Sequence, residues 1–129
     1  MLITILKAKI HRATITEANL HYIGSITIDE NLLLATGIHE NEKVQIVNIN
    51  NGSRFETYVI KGRKGSGTIC VNGGAARLVQ ERDKIIIISY CTLEENKLQN
   101  HIPKVVFMNE DNTIQNCSHQ ETADTLFLN

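Results

Sequence analysis

Val44-Gln45-Ile46-Val47-Asn48-Ile49 and Phe55-Glu56-Thr57-Tyr58-Val59-Ile60 are two alternating runs rich in β-branched residues, separated by Asn50-Asn51-Gly52-Ser53-Arg54. Asn51-Gly52 is the strongest short-range hairpin signal, because both residues tolerate positive φ, so the pair reads as two antiparallel strands. In the second strand the two-residue repeat puts Arg54, Glu56 and Tyr58 on one face and Phe55, Thr57 and Val59 on the other.

Strand character continues on both sides of this hairpin. From Leu2 to Ala13, apolar residues interleave with Lys7, Lys9, His11 and Arg12, which predicts a strand with one polar face carrying Lys7, Lys9 and His11. That face is either solvated or aimed at a site. Ile85-Ile86-Ile87-Ile88 is apolar on both faces, as in a strand covered on both sides. Thr68 to Val71 and Pro103 to Phe107 add two shorter strands. Thr16 is placed to cap a helical turn through Leu20, and His21 to Ile28 reads as extended chain. Asp29 is a good N-cap for a short helix carrying Leu32, Leu33 and Leu34, with Gly37 to end it. Many short strands with brief helices favour a mainly β fold, a small barrel over α/β layers.

At 129 residues, with no repeats or Pro/Gly/Ser-rich linker, the chain is expected to be a single domain over 1–129. It is small enough that a neighbouring subunit is a plausible part of any pocket. A formal charge of −1 and a pI near 6.5 give no net field for nucleic acid or an anionic membrane. The apolar start, Met1 to Leu6, is too short to span a bilayer or serve as a signal peptide, so a cytoplasmic protein is expected. Cys70, Cys91 and Cys117 are widely spaced and suggest reduced thiols; no histidine or cysteine pattern suggests a metal.

Two stretches carry chemistry. Gly24-Ser25 places a hydroxyl after an unhindered carbonyl and a free backbone, so that Ser25 can attack its own chain. Most Gly-Ser pairs are turns, and the pair alone does not decide. Asn72-Gly73-Gly74-Ala75-Ala76 has side chains small enough for a ligand to approach the backbone, or it is a plain turn before a helical piece at Ala75 to Leu78. Gly62, Gly65 and Gly67 around Arg63, Lys64 and Ser66 match no phosphate-loop spacing and read as a flexible connection.

Five blocks in register, Lys9-Ile10-His11-Arg12, Thr16 through Ser25, Asn51-Gly52, Arg54 through Tyr58 and Asn72 through Ala76, resemble the pyruvoyl-dependent aspartate 1-decarboxylases over roughly residues 1 to 114. The resemblance implies a six-stranded double-psi β-barrel with short helices, assembled as a homotetramer. It implies autocatalytic cleavage at Gly24-Ser25 into a β chain, 1–24, and an α chain, 25–129. Ser25 attacks the Gly24 carbonyl, the ester eliminates to dehydroalanine, and hydrolysis leaves a covalently bound pyruvoyl group at position 25. That group takes the place of pyridoxal phosphate as electron acceptor. It forms a Schiff base with L-aspartate, which is converted to β-alanine and carbon dioxide for pantothenate biosynthesis.

By the same resemblance Tyr58 is the proton donor, and Thr57 supports first the Gly24 oxyanion and then the substrate. Arg54 and Lys9 bind carboxylate, Gly73, Gly74 and Ala75 offer backbone contacts, and His11, Tyr22 and Asn72 support. Alternation sets Thr57 and Tyr58 on opposite faces, so a bulge, a strand end or a subunit boundary must bring both to one centre. Two positions depart from the family pattern: Val47 stands where some members carry a large aromatic, and Gly74 where alanine is usual. From Gln115 the tail lies outside the resemblance and is polar up to Leu126-Phe127-Leu128. The competing class is a non-enzymatic β-barrel regulator or nucleic-acid-binding module, with Lys7, Lys9, Arg12, Arg63 and Lys64 as its patch.

Overall fold

The computed structural model describes residues 1–123, and Leu126-Phe127-Leu128 lies outside them. The chain is mainly β with a few short helices. Its strands are β1 (Leu2–Thr14), β2 (Glu17–Asn19), β3 (Ser25–Asp29), β4 (Lys43–Asn48), β5 (Arg54–Gly62), β6 (Ile69–Asn72), β7 (Lys84–Glu94), β8 (Lys104–Met108) and β9 (Ile114–Ser118). One helix, α1 (Glu30–Thr36), follows β3, and 3-10 segments cover Gly73–Leu78 and Glu95–Asn100.

These strands form one ladder in the order β2-β6-β3-β5-β4-β7-β1-β8-β9. The pairs β1–β8, β2–β6 and β3–β5 are parallel, and the others antiparallel. β1 and β2 are separated in sequence only by Ile15-Thr16 but stand seventh and first in the ladder, so the sheet must roll round to let the chain pass between them. At that crossing the Ile15 N–H donates to the Asp83 carbonyl and the Thr16 N–H to the Ile69 carbonyl, both at 2.9 Å.

The inner face is packed with branched aliphatics, among them Ile10, Ile26, Ile46, Ile69 and Ile87, all fully buried. Each such side chain contributes about 1.5–3 kcal/mol on removal from water. The helix covers one end of this core with Leu32 and Leu33, while Leu34 is exposed. Its start and stop are as the sequence suggests: Asp29 accepts from the Asn31 N–H at 2.8 Å, and Gly37 at φ 74° donates its N–H to Leu33.

Several local expectations change. Thr16 does not cap a helix: its hydroxyl donates to the Ile69 carbonyl and accepts from the Ile69 N–H, and Glu17–Asn19 becomes a parallel strand on β6. Tertiary pairing there outweighs a weak local preference. In the hairpin only Gly52 takes positive φ, at 76°; the Asn51 side chain instead accepts from the Ser53 N–H and donates to the Leu78 carbonyl. The glycine-rich connection is tethered, since the Asp29 carboxylate accepts from the N–H groups of Gly65 and Gly67 at 2.9 and 2.8 Å. The tail also docks, with β9 pairing antiparallel to β8.

Candidate functional site

His21 to Gly24 is a turn rather than extended chain, with the His21 N–H donating to the Asn19 side chain, and β3 begins at Ser25. The Gly24-Ser25 bond therefore spans the boundary between a solvent-exposed turn and a buried strand. Gly24 is exposed, whereas Ser25 is 3% exposed.

Two neighbouring strands flank this boundary. On one side, β6 runs antiparallel with Ser25 opposite Asn72. Asn72 Nδ2 donates to Ser25 Oγ at 3.0 Å and to Thr27 Oγ1 at 3.2 Å, and the Ser25 hydroxyl donates to the Ile23 carbonyl at 3.4 Å. Immediately after Asn72, Gly73 has φ 73° and its backbone presses on the turn. A Cβ there would lie 2.6 Å from Gly24 Cα, 2.8 Å from Gly24 N and 3.2 Å from the Tyr22 carbonyl oxygen. Only glycine lets the two backbones meet so closely. Gly74 has open space where a Cβ would be, and Ala75 packs against the core.

On the other side, the parallel pairing of β3 with β5 starts at Ile26 opposite Val59. One step back along both strands puts Ser25 level with Tyr58, and Thr57 follows on β5 beyond the first residue of β3. Paired strands run about 4.8 Å apart. The alternation within β5 holds, with Thr57 half-buried on the inner side and Tyr58 37% exposed on the outer. No register shift interrupts β5, so within one chain Thr57 and Tyr58 stay on opposite faces of the strand, beside the start of β3.

Lys9, His11 and Arg54 do not join this cluster within one chain. Arg54 lies four residues before Tyr58, about 13 Å along the same strand, and its guanidinium donates to Gln45 Oε1 at 2.8 Å. It pairs with Val47, Val47 with Ile86, and Ile86 with His11, so these four residues form one row across β5, β4, β7 and β1. Lys9, opposite Ile88, stands in the next row but one. Ile86 and Ile88 are only half-buried, so the face that was expected to be covered on both sides is open in the single chain. The Lys9 ammonium lies 3.2 Å from the Glu121 carboxylate. Burial first, then the charges of Lys9 and Arg12, hold the His11 imidazole below its ordinary pKa, so it is neutral at pH 7. Its ring packs edge-on against Phe107, with centroids 5.6 Å apart. Lys7 is not on this face: a register shift steps the ladder over it, and it pairs with Glu42 at 2.7 Å. With Lys7 and Lys9 each against a carboxylate, the basic patch of the regulator reading is not assembled.

Thr27 and Cys70 were not singled out in the sequence, although they border the Ser25 hydroxyl through Asn72. The Cys70 thiol donates to Asn72 Oδ1 at 3.0 Å. The signal available was the period of two in Ile69-Cys70-Val71-Asn72, which sets Cys70 and Asn72 on one face. Among the described residues no group of three His, Cys, Asp or Glu side chains converges to hold a metal ion, and no helix is long and apolar enough to cross a membrane.

Chemically, the arrangement holds the Ser25 hydroxyl between the Asn72 amide and the Ile23 carbonyl, with Gly73 closed against the preceding residue, Gly24. Comparison with known proteins gives the same region a family. Residues 1–115 match the family model described as aspartate decarboxylase. The chain is 66% identical to the aspartate 1-decarboxylase of Caldicellulosiruptor bescii over 121 residues, 94% of each chain. It is 60% identical to that of Clostridium beijerinckii, over 96% of this chain and all of the relative, and 57% identical to that of Bacillus subtilis, over 95% and 97%. A match of this extent and identity settles the assignment: the chain belongs to the aspartate decarboxylase family.

Proposed function

We propose that this chain cuts itself between Gly24 and Ser25 and then, as an assembly of cut chains, decarboxylates L-aspartate to β-alanine. The observation that carries the reading is the Ser25 hydroxyl fixed by Asn72 at the start of β3, with Gly73 closed against Gly24. Attack by Ser25 Oγ on the Gly24 carbonyl carbon breaks the peptide bond and leaves an ester. Loss of the ester as the Gly24 carboxylate, followed by addition of water and release of ammonia, leaves a ketone at position 25. Residue 25 is buried beside Asn72, which also holds Thr27, a setting that suits a small planar pyruvoyl group with a polar neighbour on one side.

That group supplies an electron acceptor for the carbon that loses carbon dioxide. The chain's own residues do the rest. Thr57 Oγ1, one residue before Tyr58 on β5, donates to the carbonyl oxygen as it gains negative charge. Tyr58 Oη, level with Ser25 and facing outward, delivers a proton to the carbon left by carbon dioxide. Arg54 offers a planar fork to a carboxylate and Lys9 a point charge. Since neither reaches Ser25 in its own chain, each acts on the centre of a neighbouring subunit. The half-open Ile86 and Ile88 face beside them supports a homo-oligomer, with a tetramer as the family expectation.

Intact-mass analysis of purified protein tests the first step: two fragments ending at Gly24 and beginning at residue 25 are expected, and a single intact chain without carbon dioxide release from L-aspartate overturns the reading.

A further inference from the structure

Asn72 holds the Ser25 hydroxyl, which raises the question of what holds Asn72. A side-chain amide has two ends of nearly equal shape, and turning it over would aim Oδ1 at Ser25 and Thr27 in place of Nδ2. The register decides which neighbours it meets. In the antiparallel β3–β6 pair, Ser25 lies opposite Asn72 and Thr27 opposite Cys70. Four polar side chains thus share a face in a two-by-two block, with Ser25, Asn72 and Cys70 each 5% exposed or less. Buried polar atoms in such a block must satisfy one another.

Hydroxyls can donate or accept, so Ser25 and Thr27 tolerate either end of the amide. The thiol is weaker in both roles, and here its hydrogen faces the amide oxygen. Its contact with Oδ1 at 3.0 Å therefore selects the orientation in which Nδ2 faces the two hydroxyls, at 3.0 and 3.2 Å. With the amide donating to Ser25 Oγ, the hydroxyl hydrogen is left for the Ile23 carbonyl at 3.4 Å, and the side chain is held from two directions. We propose that Cys70 is a positioning residue for self-cleavage, its thiol setting the orientation of the Asn72 amide and through it the Ser25 hydroxyl. The thiol stays protonated, and so remains a donor shared between Asn72 and the Glu17 carboxylate, because burial above all, then the charge of Glu17 and its hydrogen bond with the thiol, push its pKa up to about 11.

The inference rests on the cleavage reading above and extends it to a residue that touches neither the reacting bond nor substrate. It is tested by the rate at which full-length chain is cut, followed by intact mass after expression and during incubation, beside thermal unfolding of each protein. Cys70→Ser keeps a donor but accepts as readily, so it fits either end of the amide and is expected to cut at a rate between the parent and the variants that have no donor. Cys70→Ala and the bulkier Cys70→Val keep no donor, and are expected to fold but to cut about tenfold more slowly, the equivalent of one hydrogen bond to a buried group. If the alanine variant does not fold, the valine variant decides. Equal cutting by the serine, alanine and valine variants overturns the positioning role while leaving self-cleavage intact. An uncut parent chain overturns self-cleavage itself, and this inference with it.

Discussion

Gly73 sits so close to Gly24 that a methyl group on the one would lie 2.6 Å from the Cα of the other. Gly73→Ala must also hold a left-handed φ of 73°. That conformation alone costs about 1–2 kcal/mol for an L-residue, and the clash falls on backbone. A melting temperature lower by several degrees and a larger uncut fraction are expected. Gly74→Ala is the control: its φ is not positive and its Cβ meets nothing within 4 Å. It is expected to melt at or slightly above the parent temperature.

Thr57 and Tyr58 lie on opposite faces of β5, and in the roles proposed for them their variants should fail at different stages. Tyr58→Phe should give mostly cut chains that release carbon dioxide more slowly by roughly 10²–10⁴-fold, the range for a lost general acid. Thr57→Val should accumulate uncut chain under the same expression conditions, and Ser25→Ala should never be cut. A denaturing gel beside a carbon dioxide assay separates these outcomes; a fully cut Thr57→Val sample removes the oxyanion role.

Arg54→Lys keeps the charge and loses the fork, so a fully cut sample should turn over L-aspartate with a raised KM and lower kcat/KM. In mixtures with Tyr58→Phe, partial recovery of activity is expected, because each variant supplies a neighbour with the part that the other lacks. Mixtures no more active than their separate components would place Arg54 and Tyr58 at the same centre within one chain.

Asp29 joins the helix cap to the glycine-rich loop, and its carboxyl is depressed below its ordinary pKa. Burial pushes it up, but the N–H donors of Asn31, Gly67 and Gly65 together outweigh that. A carboxylate depressed in the folded state stabilises above its unfolded pKa, about 3.9, and loses that contribution as pH falls through the folded value. Asp29→Asn should therefore be less stable than the parent at pH 7, with the gap narrowing below about pH 4. Urea unfolding at pH 7 and pH 3 measures it; a gap unchanged between the two removes the charge from the explanation.

Local patterns carried much of the fold. Alternation placed β1, β4, β5 and β7, and Asp29 and Gly37 bounded α1, because these features depend on neighbours in sequence. What sequence could not supply was pairing. Thr16 looks like a cap until Ile69 is found opposite it, and Ser25 and Asn72 give no sign along the chain that they face each other. The site was legible through its blocks of residues, which is why Gly24, Ser25, Asn72 and Gly73 were named before they were seen to meet. Alternation in Ile69-Cys70-Val71-Asn72 sets Cys70 on the face of Asn72, but the Ser25–Asn72 and Thr27–Cys70 register that gives this face its meaning lies across the sheet.

β1 lies between β7 and β8 in the interior of the ladder, joined to the remainder by hydrogen bonds on both edges and by Ala8 and Ile10 in the core. Cutting after Gly24 removes one covalent link from a segment whose position never depended on it. The pieces 1–24 and 25–129 should therefore travel together through any native purification and separate only in denaturant. Refolding then becomes a meeting of two molecules, so recovery of the cut protein should rise with concentration, whereas an uncut Ser25→Ala protomer regains its fold independently of it.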